Sequence, residues 1–192
     1  MMIERYETEP DSGGAGLHRG GNGIHMTYRF LAAGTISIHD DRWFVPPWGV
    51  NGGLPGARAR KILEKADGSQ QIVGNKVEDV TVEVGDQLHF ITWGGGGWGD
   101  PLERDAELVG LEIGQGLVTA EGAKAYGVVA DGTGKVDAAA TAALRDAMRA
   151  GRGPLPLFDY GPGIDALRAN CQAETGLPAP VQPVWPMLEA AE

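Results

Sequence analysis

The sequence contains a single cysteine, Cys171, among its 192 residues. An internal disulfide needs two cysteines, and so does a zinc site of the C-x-x-C type, so both are excluded. A reducing cytoplasm is the simplest compartment for such a chain. Cys171 falls in a stretch with amphipathic helical spacing and has no nearby histidine that would mark it as a nucleophile. We therefore interpret it as a small buried apolar residue.

Basic residues and long apolar runs are also scarce. The chain has 16 Lys and Arg against 26 Asp and Glu, a net charge of −10. This acidic balance argues against non-specific binding of nucleic acid. No apolar run approaches the roughly 20 residues that span a bilayer. The charged N-terminus MMIERYETEP lacks the apolar core of a signal peptide. The sequence thus predicts no nucleic-acid or membrane partner.

Glycine, by contrast, is abundant, with 31 residues, of which 11 lie in two clusters. The first is DSGGAGLHRGGNG at 11–23 and the second is WGGGGWGDP at 93–101. Glycine loses more backbone entropy on folding than any other residue, so such density is costly unless the backbone requires it. The clusters therefore indicate backbone with positive φ, or backbone that something else approaches closely.

The first hundred residues have the pattern of antiparallel strands. Strands are predicted at 24–31 and 35–39, and a hairpin at 59–73 with a DGS turn at 67–69. The clearest predicted hairpin is VTVEVGDQLHFITW at 80–93, with Gly85 and Asp86 as a two-residue turn. No strand is evident before the first glycine cluster.

After Pro101 the pattern becomes helical. Asp105, Thr119 and Asp137 are predicted to cap three helices, and a fourth is predicted at 164–175 with Gly176 as its stop. The fold class is therefore α+β: a Gly-rich β domain at 1–100, a helical segment at 101–176 packed on it, and an extended Pro-rich tail at 177–192. A single α+β unit explains the change of pattern equally well. Val181, Val184 and Trp185 suggest that the tail lies against a neighbouring surface.

The first glycine cluster has two interpretations. Consecutive glycines can direct their N–H groups at an anion, Arg19 could bind a carboxylate or phosphate, and Asp11 and His18 could act as acid or base. The spacing is not G-x-G-x-x-G, which rejects a dinucleotide fingerprint. The alternative is a tight structural loop in which Asp11 accepts from nearby N–H groups and pairs with Arg19.

The second cluster also allows a structural or a functional role. Its four consecutive glycines would let a ligand or another subunit's backbone approach, and Asp100 precedes a proline that favours an extended backbone. The alternative is a crossing point where only glycine fits. Elsewhere, His39 and Asp41 with His25 could ligate a metal, but two or three such residues are a weak signal. We interpret them as a polar strand end.

The motifs together resemble a known family. DSGGAGLHRGGNG, RWFVPPWGVNGGLPGA, VGDQLHFITWGGGGWGDPLERD and GLVTAEGAKAYGVV, in this order, are similar to the C-terminal part of the hydantoinase B/oxoprolinase family. The late segments GPLPLFDYGPG and ETGLPAP extend the resemblance, which covers nearly the whole chain.

The resemblance implies a multi-subunit enzyme. B-type subunits of this family work with A-type subunits that bind ATP and Mg, and the pair opens cyclic amides such as hydantoins, 5-oxoproline or lactams. A divalent metal is also conceivable on a partner subunit. Relatives carboxylate ketones such as acetone or acetophenone. B-type subunits are about three times longer than this chain. We therefore expect a small subunit that, together with a larger chain, completes a split B-type subunit and is inactive alone. Met1-Met2 followed directly by IERYETEPDSGGAG looks like the natural start of a split gene, and an artificial boundary is the alternative.

Site residues follow from the family-like motifs and their chemistry. Asp11 and Arg19 are predicted to be catalytic, and no metal is predicted on this chain. The predicted substrate-binding or loop positions are Ser12, Gly13, Gly14, Gly94, Gly95, Gly96, Gly97 and Asp100. Two other functions stay open: a subunit of an ATP-dependent ketone carboxylase, and a structural assembly subunit whose glycine loops pack on a partner and touch no substrate.

Overall fold

The computed structural model describes residues 1–74 and 76–181 and confirms the α+β class. Strands fill the first half, and helices follow Pro101. The strands are β1 (Met2–Thr8), β2 (Ile24–Arg29), β3 (Gly34–His39), β4 (Gly49–Val50), β5 (Arg60–Glu64), β6 (Gln70–Ile72), β7 (Lys76–Val82), β8 (Gln87–Ile91) and β9 (Phe158–Asp159). The α-helices are α1 (Ala106–Gly114), α2 (Ala138–Gly151) and α3 (Ile164–Thr175), and short 3-10 helices span Pro101–Glu103 and Gly122–Tyr126.

Five strands form one antiparallel sheet in the order β1-β2-β8-β5-β6. Strands β3 and β7 form a separate antiparallel ribbon. Apolar side chains of the ribbon and of one sheet face share a core of Phe30, Ile38, Leu63, Val73, Val82 and Leu88. This core depends on the alternation along each strand, which places every second side chain on the covered face.

A second core joins the helical half to the first glycine cluster. It contains Ala15 from that cluster, and from the helical half Val109, Ile113, Val118, Ala123, Tyr126 and Val128. Strand β9, far along the chain, also pairs with β4. The helical half is thus packed against the loops that carry the predicted site.

The helix caps agree with the sequence predictions. The Asp105 carboxylate accepts from Glu107 N and that of Asp137 from Ala140 N, at the starts of α1 and α2. Thr119 Oγ1 accepts from Gly122 N, although the helix that follows is 3-10. Gly127 and Gly176 end their helices in the left-handed conformation. Cys171 is fully buried, as predicted.

The predicted hairpin at 80–93 is wrong. β7 pairs with β3, whereas β8 pairs with β2 and β5, so the two strands belong to different sheets. The turn runs from Glu83 to Asp86, with Gly85 at φ 93°. The buried Asp86 carboxylate accepts from the amides of Glu83 and Ala66 and pairs with Lys65. These contacts hold the chain where it crosses from ribbon to sheet.

The absence of a strand before the first glycine cluster is also wrong, because β1 precedes it and pairs with β2. Every residue of β1 is exposed. Its sequence, MIERYET, therefore lacks the alternation of apolar and polar residues by which a half-buried strand is recognised. Of the predicted tail, only 177–181 lies within the described residues, where Val181 is exposed. Val184 and Trp185 lie outside the described residues. Among the helices described, none has the length and apolar character needed to cross a membrane.

Candidate functional site

Three glycine-rich segments interlock through their backbones: 12–23, 48–57 and 93–99. We call this arrangement the glycine knot. Gly14 N donates to Gly95 O at 2.8 Å, and Gly95 N donates to Gly21 O at 2.8 Å. Gly97 N donates to Leu54 O at 2.9 Å, and Gly97 O accepts from Val50 N at 2.9 Å. The two predicted clusters therefore lie side by side, with the segment 48–57 as their common partner.

Close backbone approach explains the glycine density. A Cβ atom on Gly94 would overlap the carbonyl oxygen of Ser12, and one on Gly96 would overlap that of Trp48. A Cβ on Gly97 would overlap Ala15 O, and one on Gly14 would overlap Leu54 O. The backbone that approaches closely at these positions is that of this same chain, as in the alternative of a crossing point where only glycine fits.

The knot also occupies amide groups that could have formed an anion site. The N–H groups of Gly14, Gly20, Gly94, Gly95 and Gly97 all donate to backbone carbonyl oxygens of the chain. Ser12 is buried as well: its hydroxyl donates to Glu9 O at 2.6 Å and accepts from Gly23 N at 2.8 Å. These contacts hold the first loop in shape, and binding roles for Ser12, Gly13, Gly14 and Gly94 to Gly97 stay predictions.

Arg19 does not pair with Asp11 but lies in a buried charge network. Its Nε donates to Glu112 Oε1 at 3.1 Å, and another guanidinium nitrogen donates to Asn22 Oδ1 at 2.6 Å. Arg104 donates to the same Glu112 oxygen at 2.8 Å and to Leu17 O at 2.8 Å. One carboxylate on α1 thus binds two guanidinium groups and fixes the first glycine loop to the helical half.

Asp11 is the predicted catalytic residue with the most open position. It is exposed and has φ 58°, a left-handed conformation that is uncommon for residues other than glycine. Its carboxylate accepts from Thr119 N at 2.8 Å and from Thr119 Oγ1 at 2.6 Å. Strained backbone of this kind occurs often at functional sites, where the surroundings hold it in place.

A small cavity of about 160 Å³ opens beside Asp11. Gly13, Gly14 and Ala15 of the knot line one side. Val118, Ala125 and Tyr126 of the helical half line another. Burial raises the pKa of Tyr126 to about 12, so its hydroxyl stays protonated at neutral pH. The arrangement offers one carboxylate, able to accept a proton or a hydrogen bond, at the rim of a largely apolar recess.

Asp100 is engaged in a structural contact. Both of its carboxylate oxygens accept from the guanidinium of Arg152, and Oδ1 also accepts from Leu102 N at 2.9 Å. The hydrogen bonds from Arg152 hold the pKa of Asp100 below its ordinary value, against the opposing effect of burial. Asp100 therefore caps the 3-10 helix that starts at Pro101 and ties the second glycine cluster to the loop after α2.

We expect Asp100→Asn to remove part of the acid sensitivity of the fold. Because the pKa is lower in the folded state, the ionised carboxylate contributes stability above its unfolded pKa of about 3.9, and this is lost as pH falls below that value. At pH 7 the variant should lose about 1–2 kcal/mol of unfolding free energy. Urea unfolding at pH 7 and pH 3 measures both effects. A difference between variant and wild type that is as large at pH 3 as at pH 7 would contradict the assignment.

A partly buried histidine pair lies on neighbouring strands of the sheet, β2 and β8. His25 Nε2 is 3.3 Å from His89 Nδ1, which is also 3.1 Å from Thr27 Oγ1. Glu9 lies 3.3 Å from the other nitrogen of His25. Burial, followed by the charge of Arg5, lowers the pKa of His25 despite Glu9. Sequence reasoning missed His89 because the pairing of β2 with β8 crosses about 60 residues of chain; alternation alone indicates only its face.

The proposed metal residues do not converge. His39 lies near Glu78, and Asp41 pairs with Lys76 on the exposed ribbon. Asp40 pairs with Lys61, whose side chain is fully buried and whose pKa burial lowers. Within residues 1–74 and 76–181 no group of three His, Cys, Asp or Glu side chains is arranged to hold a metal ion.

Comparison with known proteins reveals extensive similarity. The sequence pattern of the family described as Hydantoinase B/oxoprolinase matches residues 1–101. The beta subunit of caprolactamase from Pseudomonas jessenii is 36% identical over 154 residues, which cover 77% of this chain and 26% of the relative. The B-type subunit of a putative D-/L-hydantoinase from Pseudomonas sp. (strain NS671) is 29% identical, over 76% of this chain and 25% of its own length.

Two solved structures share the fold. The crystal structure of ATP-dependent caprolactamase from Pseudomonas jessenii has a TM-score of 0.61 and 31% identity, covering 75% of this chain and 26% of that one. A nucleotide-free acetone carboxylase structure has a TM-score of 0.63 and 25% identity, covering 80% of this chain and 26% of that one. The chain spans about a quarter of the length of these relatives.

Proposed function

Since the chain belongs to the hydantoinase B/oxoprolinase family, we propose that it completes a split B-type subunit in an ATP-dependent complex that opens a cyclic amide. The observation that carries this proposal is the match to caprolactamase. Identity to that enzyme is 36% with its beta subunit and 31% in the structural comparison, against 25% for acetone carboxylase. The other components are an A-type subunit and a larger chain with the remaining B-type sequence.

The knot is poorly suited to hold the phosphates of ATP, because the amides of Gly14, Gly20, Gly94, Gly95 and Gly97 already donate to its own carbonyl groups. ATP and Mg are therefore assigned to the A-type partner, where ATP would supply the phosphoryl group that makes an amide carbonyl a better electrophile. This chain's contribution is to hold a loop and its carboxylate in place. The knot, the Arg19–Glu112 contact and the Thr119 hydrogen bonds all fix the position of Asp11.

Substrate and reaction type are tested on the reconstituted complex. ATP hydrolysis is measured with hydantoin, 5-oxoproline, caprolactam, or acetone together with bicarbonate. We expect a cyclic amide to stimulate turnover without bicarbonate. Turnover that requires both a ketone and bicarbonate would overturn the amidase proposal in favour of the carboxylase. Hydrolysis of a cyclic amide by this chain alone would overturn the split-subunit arrangement.

Asp11→Asn tests whether this chain contributes a catalytic group. Asparagine tolerates the left-handed conformation, so the loop should keep its shape while the negative charge is lost. If Asp11 acts as a general base, amide-dependent turnover should fall about 100-fold or more while the complex still assembles. Turnover, assembly and melting temperature are measured together.

Asp131→Asn is the matched control. Asp131 also accepts from the amide and hydroxyl of a threonine, Thr133, on an exposed turn that does not line the cavity. Its turnover should equal that of the wild type. Full turnover in both variants would favour a purely structural role for this chain.

A further inference from the structure

Strand β1 forms an open edge of the five-stranded sheet. One side pairs with β2, and no strand in the described part of the chain pairs with the other. All seven of its residues are exposed. MIERYET contains no proline, so each of its residues keeps a backbone N–H. Of the features that commonly protect edge strands, it has charged residues, Glu4, Arg5 and Glu7, and a bulge. The unpaired edge is therefore open to a partner strand that accommodates these features.

A bulge in β1 aligns two apolar side chains on one face. The register with β2 shifts between Ile3 and Arg5, so that Ile3 lies opposite Tyr28 and Tyr6 lies opposite Met26. In a regular strand, residues three apart point to opposite faces. The extra residue instead places Ile3 and Tyr6 on the same face, where both are more than half exposed.

That face is continuous with the sheet's own core. Across the strands, Ile3 is followed by Tyr28, Leu88 and Leu63. Leu63 and Leu88 are buried under the ribbon β3–β7, whereas Ile3 is 58% exposed and Tyr6 is 65% exposed. The apolar surface of the sheet thus extends past the part that the ribbon β3–β7 covers and ends at the unpaired edge of β1. This combination is typical of an interaction surface.

We infer that β1 and the Ile3–Tyr6 face dock the larger chain that carries the remaining B-type sequence. This inference rests on the proposed function. The match to the family begins at residue 1 and so includes β1, while the match covers only 26% of the caprolactamase beta subunit. The family pattern thus includes β1, and about three quarters of the caprolactamase beta subunit lies outside the match. The fitting partner segment is an extended strand that pairs with the edge of β1 and carries apolar side chains over Ile3 and Tyr6.

The test is co-expression with that larger chain. It is identified in the same genome as the protein whose sequence matches the part of the caprolactamase beta subunit to which the present chain does not align. The variant is Ile3→Glu with Tyr6→Glu. The control is Leu111→Glu with Leu157→Glu, at sites of similar exposure, 57% and 63%, outside the sheet. Because all four side chains are exposed, circular dichroism and melting temperature of each variant alone should match the wild type. Co-purification and light scattering then measure assembly.

We expect the wild type and the control to form a one-to-one complex and the β1 variant to lose about 90% of it or more. If the β1 variant assembles as well as the wild type, the inference that β1 docks the larger chain is wrong, and the proposed function is unaffected. Loss in both variants would also overturn that inference, because the effect would not be specific to β1. A wild-type chain that dimerises through β1 and ignores the larger chain would assign the edge to a second copy. Failure of the wild type to bind the larger chain, or the lack of such a gene, would overturn the split-subunit proposal itself.

Discussion

We expect Gly96→Ala to lower the free energy of unfolding by about 3 kcal/mol or more, the upper part of the range for overpacking a dense interior. The added Cβ would overlap the carbonyl oxygen of Trp48. A backbone carbonyl cannot rotate aside as a side chain can, so the segments 48–57 and 93–99 would have to separate. Urea unfolding followed by tryptophan fluorescence measures the loss, since Trp48, Trp93 and Trp98 lie in these segments.

The same run of glycines supplies the control. A Cβ on Gly95 would have Gly21 N as its nearest contact, at 3.3 Å, and one on Gly21 would meet nothing within 4 Å. Gly95→Ala and Gly21→Ala should each change the unfolding free energy by less than about 1 kcal/mol. Equal losses for Gly95→Ala and Gly96→Ala would show that close backbone approach is not the reason for the glycines.

We expect Glu112→Gln to destabilise the protein by about 3–5 kcal/mol, the cost of leaving buried charge uncompensated. Its carboxylate binds both Arg19 and Arg104, and all three side chains are at most 13% exposed. Among the residues that the structure describes, no other carboxylate forms an ion pair with either arginine. Urea unfolding at neutral pH measures the loss.

Glu121→Gln is the control for Glu112→Gln. Glu121 forms an exposed pair with Lys124, and its loss should change stability by about 0.5 kcal/mol or less. If the two variants were equally stable, the buried network would contribute little, and Arg19 would be available for catalysis. If Glu112→Gln is the less stable, a loss of activity in Arg19→Ala reports on folding, and Asp11→Asn becomes the informative test of chemistry.

Local rules predicted those parts of the fold that local contacts determine. Asp105 and Asp137 cap their helices through amides two and three residues away, and Gly127 and Gly176 end helices by their own conformation. Such contacts lie within a few residues of sequence. The resemblance to the family could also be recognised from the sequence. Few residues other than glycine fit at positions where another backbone segment comes close, so the glycine motifs are distinctive.

Contacts between distant segments were not predictable. The turn at Gly85 resembled a hairpin turn, but β7 and β8 belong to different sheets, and Asp86 binds Lys65 and Ala66 at the point where the chain passes between them. Arg19 was assigned to a substrate or to Asp11, while its partner Glu112 is 93 residues away. Glycine density indicated close approach without indicating what approaches. A backbone partner has no sequence signature of its own.

The glycine knot also limits which second-site mutations can restore stability after a glycine has been substituted. A clash between two side chains can be relieved by a second substitution that shortens one of them. The atoms that Gly94, Gly96 and Gly97 meet are carbonyl oxygens of Ser12, Trp48 and Ala15, and every residue type carries the same carbonyl. Substitution of the partner residue therefore leaves the obstructing atom in place. Selection for intragenic suppressors should return true reversions at these positions, and compensating changes only at positions such as Gly74, where side-chain atoms of Leu177 and Val77 are the nearest contacts.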